Sequence, residues 1–278
     1  MAFDARTILR LIILTAEGLE HRYVANVLAR AFPHELRAIV VAQRASRSFR
    51  GQVRGWVRRY SGTQLVSRIC ARAYALLSGR LRRRRATYAR YLSPGGPLEW
   101  DRGDLVRRVP SANGDECRAL LRDLKPDVIA VYGTAVIKAP VIRLAGRAIL
   151  NMHTGLSPHY RGADTIFWAL HNQEPQAVGV TVHALDEGVD SGPIVRAGRP
   201  VIARDDDEDS LFCKCVILGA QLYEQAIREV ATDARHYAPQ DLRQGHEYRF
   251  VDRTVAAERR VRRLLRGGLL QRFAEPSN

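Results

Sequence analysis

Short apolar runs alternate along this chain with longer stretches in which apolar residues recur every three or four positions. TILRLIILT (7–15) is continuous enough for a buried strand. EGLEHRYVANVLARAF follows, with Tyr23, Val27, Leu28 and Ala31 on one helical side, and ELRAIVVAQ (35–43) is a second short strand. Strand, helix, strand at this spacing opens a βαβ unit and a mostly parallel sheet. The alternation resumes after residue 97. LVRRVP (105–110) is a short strand, and NGDECRALLRDLKP (113–126) a helix stopped by its proline. Strands are expected at DVIAVYG (127–133), AILNMH (148–153) and VGVTVHAL (178–185), and a strand or hairpin at GPIVRAGRPVIA. Helices are expected at KAPVIRLAG, TIFWALHNQ (165–173) and DDDEDSLFCKCVILGAQLYEQAIREVA (205–231), the last with an acidic start that suits the positive end of a helix.

Residues 44–97 interrupt this rhythm. They read as one or two helices with an apolar stripe (Val53, Trp56, Val57, Tyr60, then Leu65, Ile69, Ala73, Leu76), the basic run RLRRRR and the turn SPGGP. The expected organisation is a domain over 1–235 that carries 44–97 as a basic helical insertion. A short C-terminal extension over 236–278 follows, containing the helically spaced AAERRVRRLLRGGLLQRF.

Composition narrows the class. The 278 residues are 46% apolar and 26% charged, as in an ordinary globular protein, and no apolar run reaches the roughly 18–20 residues of a membrane span. Asp4 and the lack of a small-residue cleavage site argue against a signal peptide, so a cytoplasmic location is expected. Cys70, Cys117, Cys213 and Cys215 lack zinc-site spacing and read as reduced, buried thiols. The net charge of +15 is unevenly placed: 14 Arg and no acid lie between Arg44 and Arg90. That stretch is either a solvated helical face or a surface for an anionic partner: an anionic substrate, nucleic acid or an anionic membrane. Phe49, Trp56 and the long helix leave a homodimer contact open.

The candidate chemistry lies in NMHTGLSPHYRG (151–162) and VTVHALDEGVDSG (180–192). Ligands in open α/β sheets collect beyond the C-terminal ends of the strands, where these segments should converge. Asn151 and His153 are two apart, so an extended strand puts both side chains on one face. An amide donor beside an imidazole can hold a developing oxyanion. An acid near the histidine can orient it, keep it protonated or relay a proton. Asp190 suits this best, because Gly188 and the following SGP allow a tight loop. The alternative is a strand-end histidine with a purely structural hydrogen bond and loop acids that are only solvated. His153, His159, His183 and Asp190 lack the spacing of a metal site, and no metal is expected.

NMHTGLSPHYRG resembles the N-x-H-x-S-L-L-P-x-Y-R-G signature of the folate-dependent formyltransferases. That family includes glycinamide ribonucleotide, methionyl-tRNA and sugar N-formyltransferases. GVTVHALDEGVDSGPIV is similar to its second signature, G-x-T-x-H and an acidic loop ending D-x-G-x-I/V. The resemblance is clear over about 127–197, extends to 7–43, is absent over 44–97 and is weak after about 210. It implies a Rossmann-like α/β fold, with Asn151, His153 and Asp190 as catalytic residues. Val131, Tyr132, Gly133, His183, Leu185, Asp186, Glu187 and Gly188 would bind the co-substrate 10-formyltetrahydrofolate, and Tyr160, Arg161 and Gly162 the acceptor. Thr154, Gly155 and Ser157 depart from the usual Pro, Ser and second Leu, and Asp164 and Thr165 stand where relatives usually have a proline. TAEGLEHRY replaces the phosphate loop of the purine-pathway enzymes, and the residues after the long helix are too few for the barrel of the tRNA enzymes.

The expected activity is formyl transfer to a primary amine of a small, anionic acceptor, with an amino-sugar nucleotide as first candidate. Two alternatives stay open. One is a formyltetrahydrofolate hydrolase, with water as acceptor. The other is a non-catalytic α/β protein that binds anions or nucleic acid through the basic stretch.

Overall fold

The structure is a computed structural model of the chain. It describes residues 9–43, 79–234 and 236–273, with positions 62 and 66 besides. The apolar stripe expected from Val53 to Leu76, together with Phe49 and Cys70, lies outside the described residues.

Seven strands form the central sheet: β1 (Leu11–Thr15), β2 (Leu36–Ala42), β3 (Val106–Val109), β4 (Val128–Tyr132), β5 (Ala148–His153), β7 (Val180–Ala184) and β8 (Ile194–Gly198). Their order is β3-β2-β1-β4-β5-β7-β8. The first five are parallel, whereas β7 and β8 are added antiparallel. β1 and β4 are buried at every residue, which is why they read as unbroken apolar runs and not as alternation. Helices α1 (Leu19–Ala31), α2 (Arg80–Leu92), α3 (Asp115–Leu124), the single turn α4 (Ala139–Ile142), α5 (Thr165–His171), α6 (Glu208–Ala231) and α7 (Val255–Arg266) cover both faces. The fold is thus the Rossmann-like α/β arrangement that the sequence pattern implies.

Successive strand residues feed two cores. Leu11, Ile13, Val128, Ala130, Tyr132, Leu150 and Met152 join α1, α5, α6 and α7 in the larger one. Ile12, Leu14, Ile129, Val131 and Ile149 meet Cys117 and Leu121 of α3 in the smaller. Helix α6 starts at a capping box: Asp207 accepts from Ser210 N (2.8 Å), and Ser210 Oγ accepts from Asp207 N (2.9 Å). Its Tyr223 hydroxyl lies 2.7 Å from Leu150 O and 3.0 Å from Val131 O. The helix is thereby fixed to the C-terminal parts of β4 and β5.

Helix α2, within the basic stretch, belongs to the connection between the parallel strands β2 and β3. Tyr88 and Leu92 anchor it in the larger core. The C-terminal segment enters the same core through Ala257, Val261, Leu269 and Leu270. Its strand β9 (His246–Tyr248) pairs in parallel with β6 (Tyr160–Gly162) in a small second sheet. Those two three-residue strands are too short to give a period in the sequence.

Candidate active site

Asn151 and His153 occupy the last turns of the pleat in β5. Asn151 stands beside Val131 of β4 on one side and His183 of β7 on the other. After β7 the chain loops through residues 185–193 and returns antiparallel as β8. The Asp186 carboxylate shapes this loop by accepting from Gly188 N (3.0 Å) and Ser191 Oγ (2.7 Å). A Cβ on Gly192 would stand 1.9 Å from Ala184 O, so only glycine lets the loop close. The closure holds Asp190 in the left-handed region, at φ 49°, with its carboxylate turned back over the end of β5.

The three residues meet there. Asp190 Oδ2 lies 3.4 Å from His153 Nδ1 and accepts from Gly162 N at 3.0 Å. Asp190 Oδ1 accepts from Asn151 Nδ2 at 3.3 Å and lies 3.4 Å from His183 Nε2. Burial pushes the Asp190 carboxyl up. The facing His153 charge, His183 and the Gly162 amide outweigh it, and hold the group well below the ordinary carboxylate range. His153 Nε2 is 3.1 Å from Tyr160 O. Both ring nitrogens thus face acceptors, a carbonyl and a carboxylate. His183 Nδ1 faces the carbonyl of Ala184 at 2.8 Å, and its Nε2 lies 3.1 Å from Asn151 Nδ2 and 3.4 Å from Asp190 Oδ1. The Asn151 amide is thus held between His183 and Asp190.

A cavity of about 870 Å³ opens over this cluster. Asn151, His153 and Asp190 line it at the edge of the sheet, and its walls come from the two sides. Val131, Ile137 and Leu185 continue the smaller core, and Gly188 and Val189 extend that wall. Tyr132, Met152, Phe212 and Tyr248 continue the larger core, joined by Glu20, His21 and Asp164. Gly133, at φ 65°, is a contact between the walls: a Cβ there would stand 2.0 Å from His21 Cε1.

Of the residues expected at the site, Val131, Tyr132, Gly133, Asn151, His153, Gly162, Leu185, Gly188 and Asp190 line the cavity. His183, Asp186, Glu187, Tyr160 and Arg161 do not. His183 is fully buried behind Asn151, Asp186 is engaged with its own loop, and Glu187 is exposed beside Arg143 at 4.0 Å. Tyr160 is buried, its hydroxyl donating to Glu174 at 2.6 Å, and Arg161 Nη2 reaches back to Leu242 O at 3.5 Å. These residues shape the site from behind. His159 turns toward the C-terminal segment, at 3.0 Å from Gln244 O.

The sequence reading missed the C-terminal contribution. Residues 247–251 line the cavity, and Gln240 Nε2 donates to Asp190 O at 3.1 Å. Asn172 Nδ2 holds the hydroxyls of Tyr160 (3.0 Å) and Tyr248 (2.9 Å), whose rings stack at 5.7 Å. A tyrosine–phenylalanine pair in an arginine-rich tail was the one signal there, and no periodicity ties it to residues 160–162.

Residues 91–227 match the family described as Formyl transferase. A methionyl-tRNA formyltransferase from Kosmotoga olearia is 37% identical over 138 residues, covering 49% of this chain and 44% of that protein. The chain thus spans about half the length of the curated relatives it matches. A sugar N-formyltransferase from a Shewanella species has the same fold at a TM-score of 0.56 and 12% identity, over 92% of this chain and 87% of that one. So does an N-formyltransferase from Helicobacter canadensis, solved with folinic acid and dTDP-3-aminofucose, with a TM-score of 0.53 and 16% identity over 88% and 72%.

Proposed function

We propose, from the premise that residues 91–227 make this chain a member of the folate-dependent formyltransferase family, that it transfers a formyl group from 10-formyltetrahydrofolate to the primary amine of a small acceptor. The observation that carries this reading is the meeting of Asn151, His153 and Asp190 at the mouth of one cavity. Two walls of different character suit two substrates. The wall of Val131, Ile137, Leu185 and Gly188 is apolar, as a flat heteroaromatic donor needs, and the cavity's volume is in the range of a ligand site. The Tyr132, Phe212 and Tyr248 side is left for the acceptor. The Helicobacter enzyme, which holds folinic acid and an amino-sugar nucleotide together, illustrates that pairing in a protein of this fold.

The donor, when bound, supplies an activated formyl carbon. The chain supplies charge and proton handling. Attack by an amine gathers negative charge on the formyl oxygen, which the His153 cation and the Asn151 amide can stabilise. Their polar hydrogens face Tyr160 O, Asp190 and His183, so a substrate must draw one of them into the cavity. Asp190, kept ionised by its neighbours, is the base that takes the amine proton directly or through water, and as the formyl C–N10 bond breaks that proton passes to N10 of the departing tetrahydrofolate. His183 is a positioning residue: its Nε2, 3.1 Å from Asn151 Nδ2, fixes the amide's place.

An amino-sugar nucleotide is the first acceptor to test, because the loop after β1 reads TAEGLE where a purine-type phosphate loop would be glycine-rich. The deciding experiment is calorimetric titration with 5-formyltetrahydrofolate, followed by transfer assays with 10-formyltetrahydrofolate and an amine panel. Micromolar binding and amine-dependent turnover are expected. Asp190→Ala should keep folate binding while losing roughly 10² or more of kcat. Formate release at the same rate without amine would replace the transferase reading with a hydrolase. Absence of folate binding by folded protein would sink both.

A further inference from the structure

The acceptor-side wall has an unusual charge for a site expected to take an anionic molecule. Its acids are Glu20, Asp164 and Glu247, and its basic side chains are His21 and the largely exposed Arg249. Asp164 is engaged, 3.2 Å from a guanidinium nitrogen of Arg253. Glu247, 3.8 Å from Arg249, and Glu20 are both loosely paired, and Glu20 is the less exposed of the two. It sits in the first turn of α1, lines the cavity, and is about one-fifth exposed. Among the described residues its one ion-pairing partner is His21 Nε2 at 3.7 Å, beyond hydrogen-bond length.

The geometry around it is fixed. The Thr15 hydroxyl donates to Tyr132 O at 2.9 Å, so the 3.2 Å contact between Thr15 Oγ1 and His21 Nδ1 has the ring nitrogen as donor. Gly133 leaves His21 its place, since any Cβ would overlap the ring. The Glu20 carboxylate is therefore presented on a rigid support, next to the apolar surface of Tyr132 and Phe212 and on the opposite side of the sheet from Val131 and Leu185.

We infer that Glu20 is the specificity residue of the acceptor wall: it takes a hydrogen-bond donor, a hydroxyl or an ammonium, carried on the acceptor near the reacting amine, and excludes a phosphate from that position. The inference rests on the formyl-transfer reading of the cavity. A carboxylate with no strong partner gains most from a donor, and like charge in a partly dehydrated cleft discriminates against an anion. An anionic group elsewhere on the acceptor would have to lie outside this wall, toward solvent and Arg249.

The test uses the full chain and three amines: glucosamine, 1,4-diaminobutane and glucosamine 6-phosphate. Formyl transfer from 10-formyltetrahydrofolate is measured for wild type, Glu20→Gln and Glu20→Lys, with 5-formyltetrahydrofolate titration as the folding and donor-site control. Wild type should favour glucosamine or the diamine over the phosphate by tenfold or more in kcat/KM. Glu20→Gln should lower the diamine by tenfold or more if an ammonium is read, and glucosamine only a few-fold if a hydroxyl is read. Glu20→Lys should turn the ratio toward the phosphate. A residue that merely starts the helix would lower Tm in the variants and leave these ratios alone. Unchanged ratios, a wild-type preference for the phosphate, or no transfer to any of the three amines despite folate binding would overturn the assignment. Loss of folate binding in wild type would instead remove the reading on which it rests.

Discussion

Gly155 shows how closely one side chain can be set by its neighbours. A Cβ at this position would lie 2.3 Å from His153 Nε2, 2.7 Å from Tyr160 O and 2.8 Å from Thr165 Oγ1. Tyr160 O is the carbonyl that holds the His153 ring, and Thr165 Oγ1 is bonded to Thr154 O. A serine here, as the resemblance would have it, does not fit this loop. Gly155→Ser should therefore push the imidazole off the Tyr160 carbonyl. The expected result is a loss of kcat of roughly 10², with 5-formyltetrahydrofolate affinity within a few-fold of wild type. Steady-state kinetics beside calorimetry separates the two, and an unchanged kcat would mean that the ring keeps its place by another route. The three residues proposed as catalytic were legible as a cluster because their placement is local: Asn151 and His153 share one strand, and Asp190 lies on a loop marked by glycines. Asp186, Glu187 and Arg161 follow from the signature alone. Only the fold shows that their side chains turn away from the cavity.

Elements were readable wherever one face or one run is apolar. The parallel strands, α1, α3 and α6 follow from periodicity and stop signals, and α6 starts at the acidic cap that its sequence suggests. What was not readable is which charges that start brings together. Arg80 from α2 and Arg253 from the C-terminal segment converge on Glu208 and Glu258, and the Arg253 guanidinium also lies 3.8 Å from the centre of the Phe167 ring. These partners are up to 178 residues apart in sequence, so no window of sequence shows them. Asp209 pays for its place in this group. Burial, and then the adjacent Glu208 charge, push its carboxyl up to about 6, despite Arg84 at 3.7 Å. A carboxyl raised on folding favours the native state when protonated, and that advantage is lost as pH rises through the folded value. Asp209→Asn should thus be stabilising at pH 7–8, by on the order of 1–3 kcal/mol. The gain should shrink as pH falls below about 6 and vanish near the unfolded value of about 4. Denaturant unfolding of both proteins from pH 4 to 8 reads this directly. A gain that stayed constant with pH would assign the effect to packing or capping instead.

At the scale of the whole molecule, the C-terminal segment is the part whose importance the sequence least reveals. A tail with six Arg between Arg259 and Arg272 reads only as a short extension with helical spacing. In the fold it does two things at once. Strand β9 pairs with β6, where Gly162 N donates to the Asp190 carboxylate, and Tyr248 stacks on Trp168 at 4.7 Å while lining the cavity. Behind it, α7 and the following turn bury Val261, Leu269 and Leu270 in the same core as the sheet. Burial of such side chains contributes about 1.5–3 kcal/mol each, against a total stability of roughly 5–15 kcal/mol for a protein of this kind. The segment should therefore be inseparable from the domain that the sequence reading drew only to residue 235. Full-length protein is expected to unfold in a single transition followed by both near- and far-ultraviolet circular dichroism. A chain ending at residue 235 should lose the sharp transition or melt far lower, and bind 5-formyltetrahydrofolate weakly or not at all. If instead the shortened chain melted at the temperature of the full-length protein, the shared core would be contributing little. The half that carries Asn151, His153 and Asp190 would then stand alone, with the C-terminal segment reduced to one wall of the proposed acceptor site, and its removal would raise the KM for the amine while leaving folate binding intact.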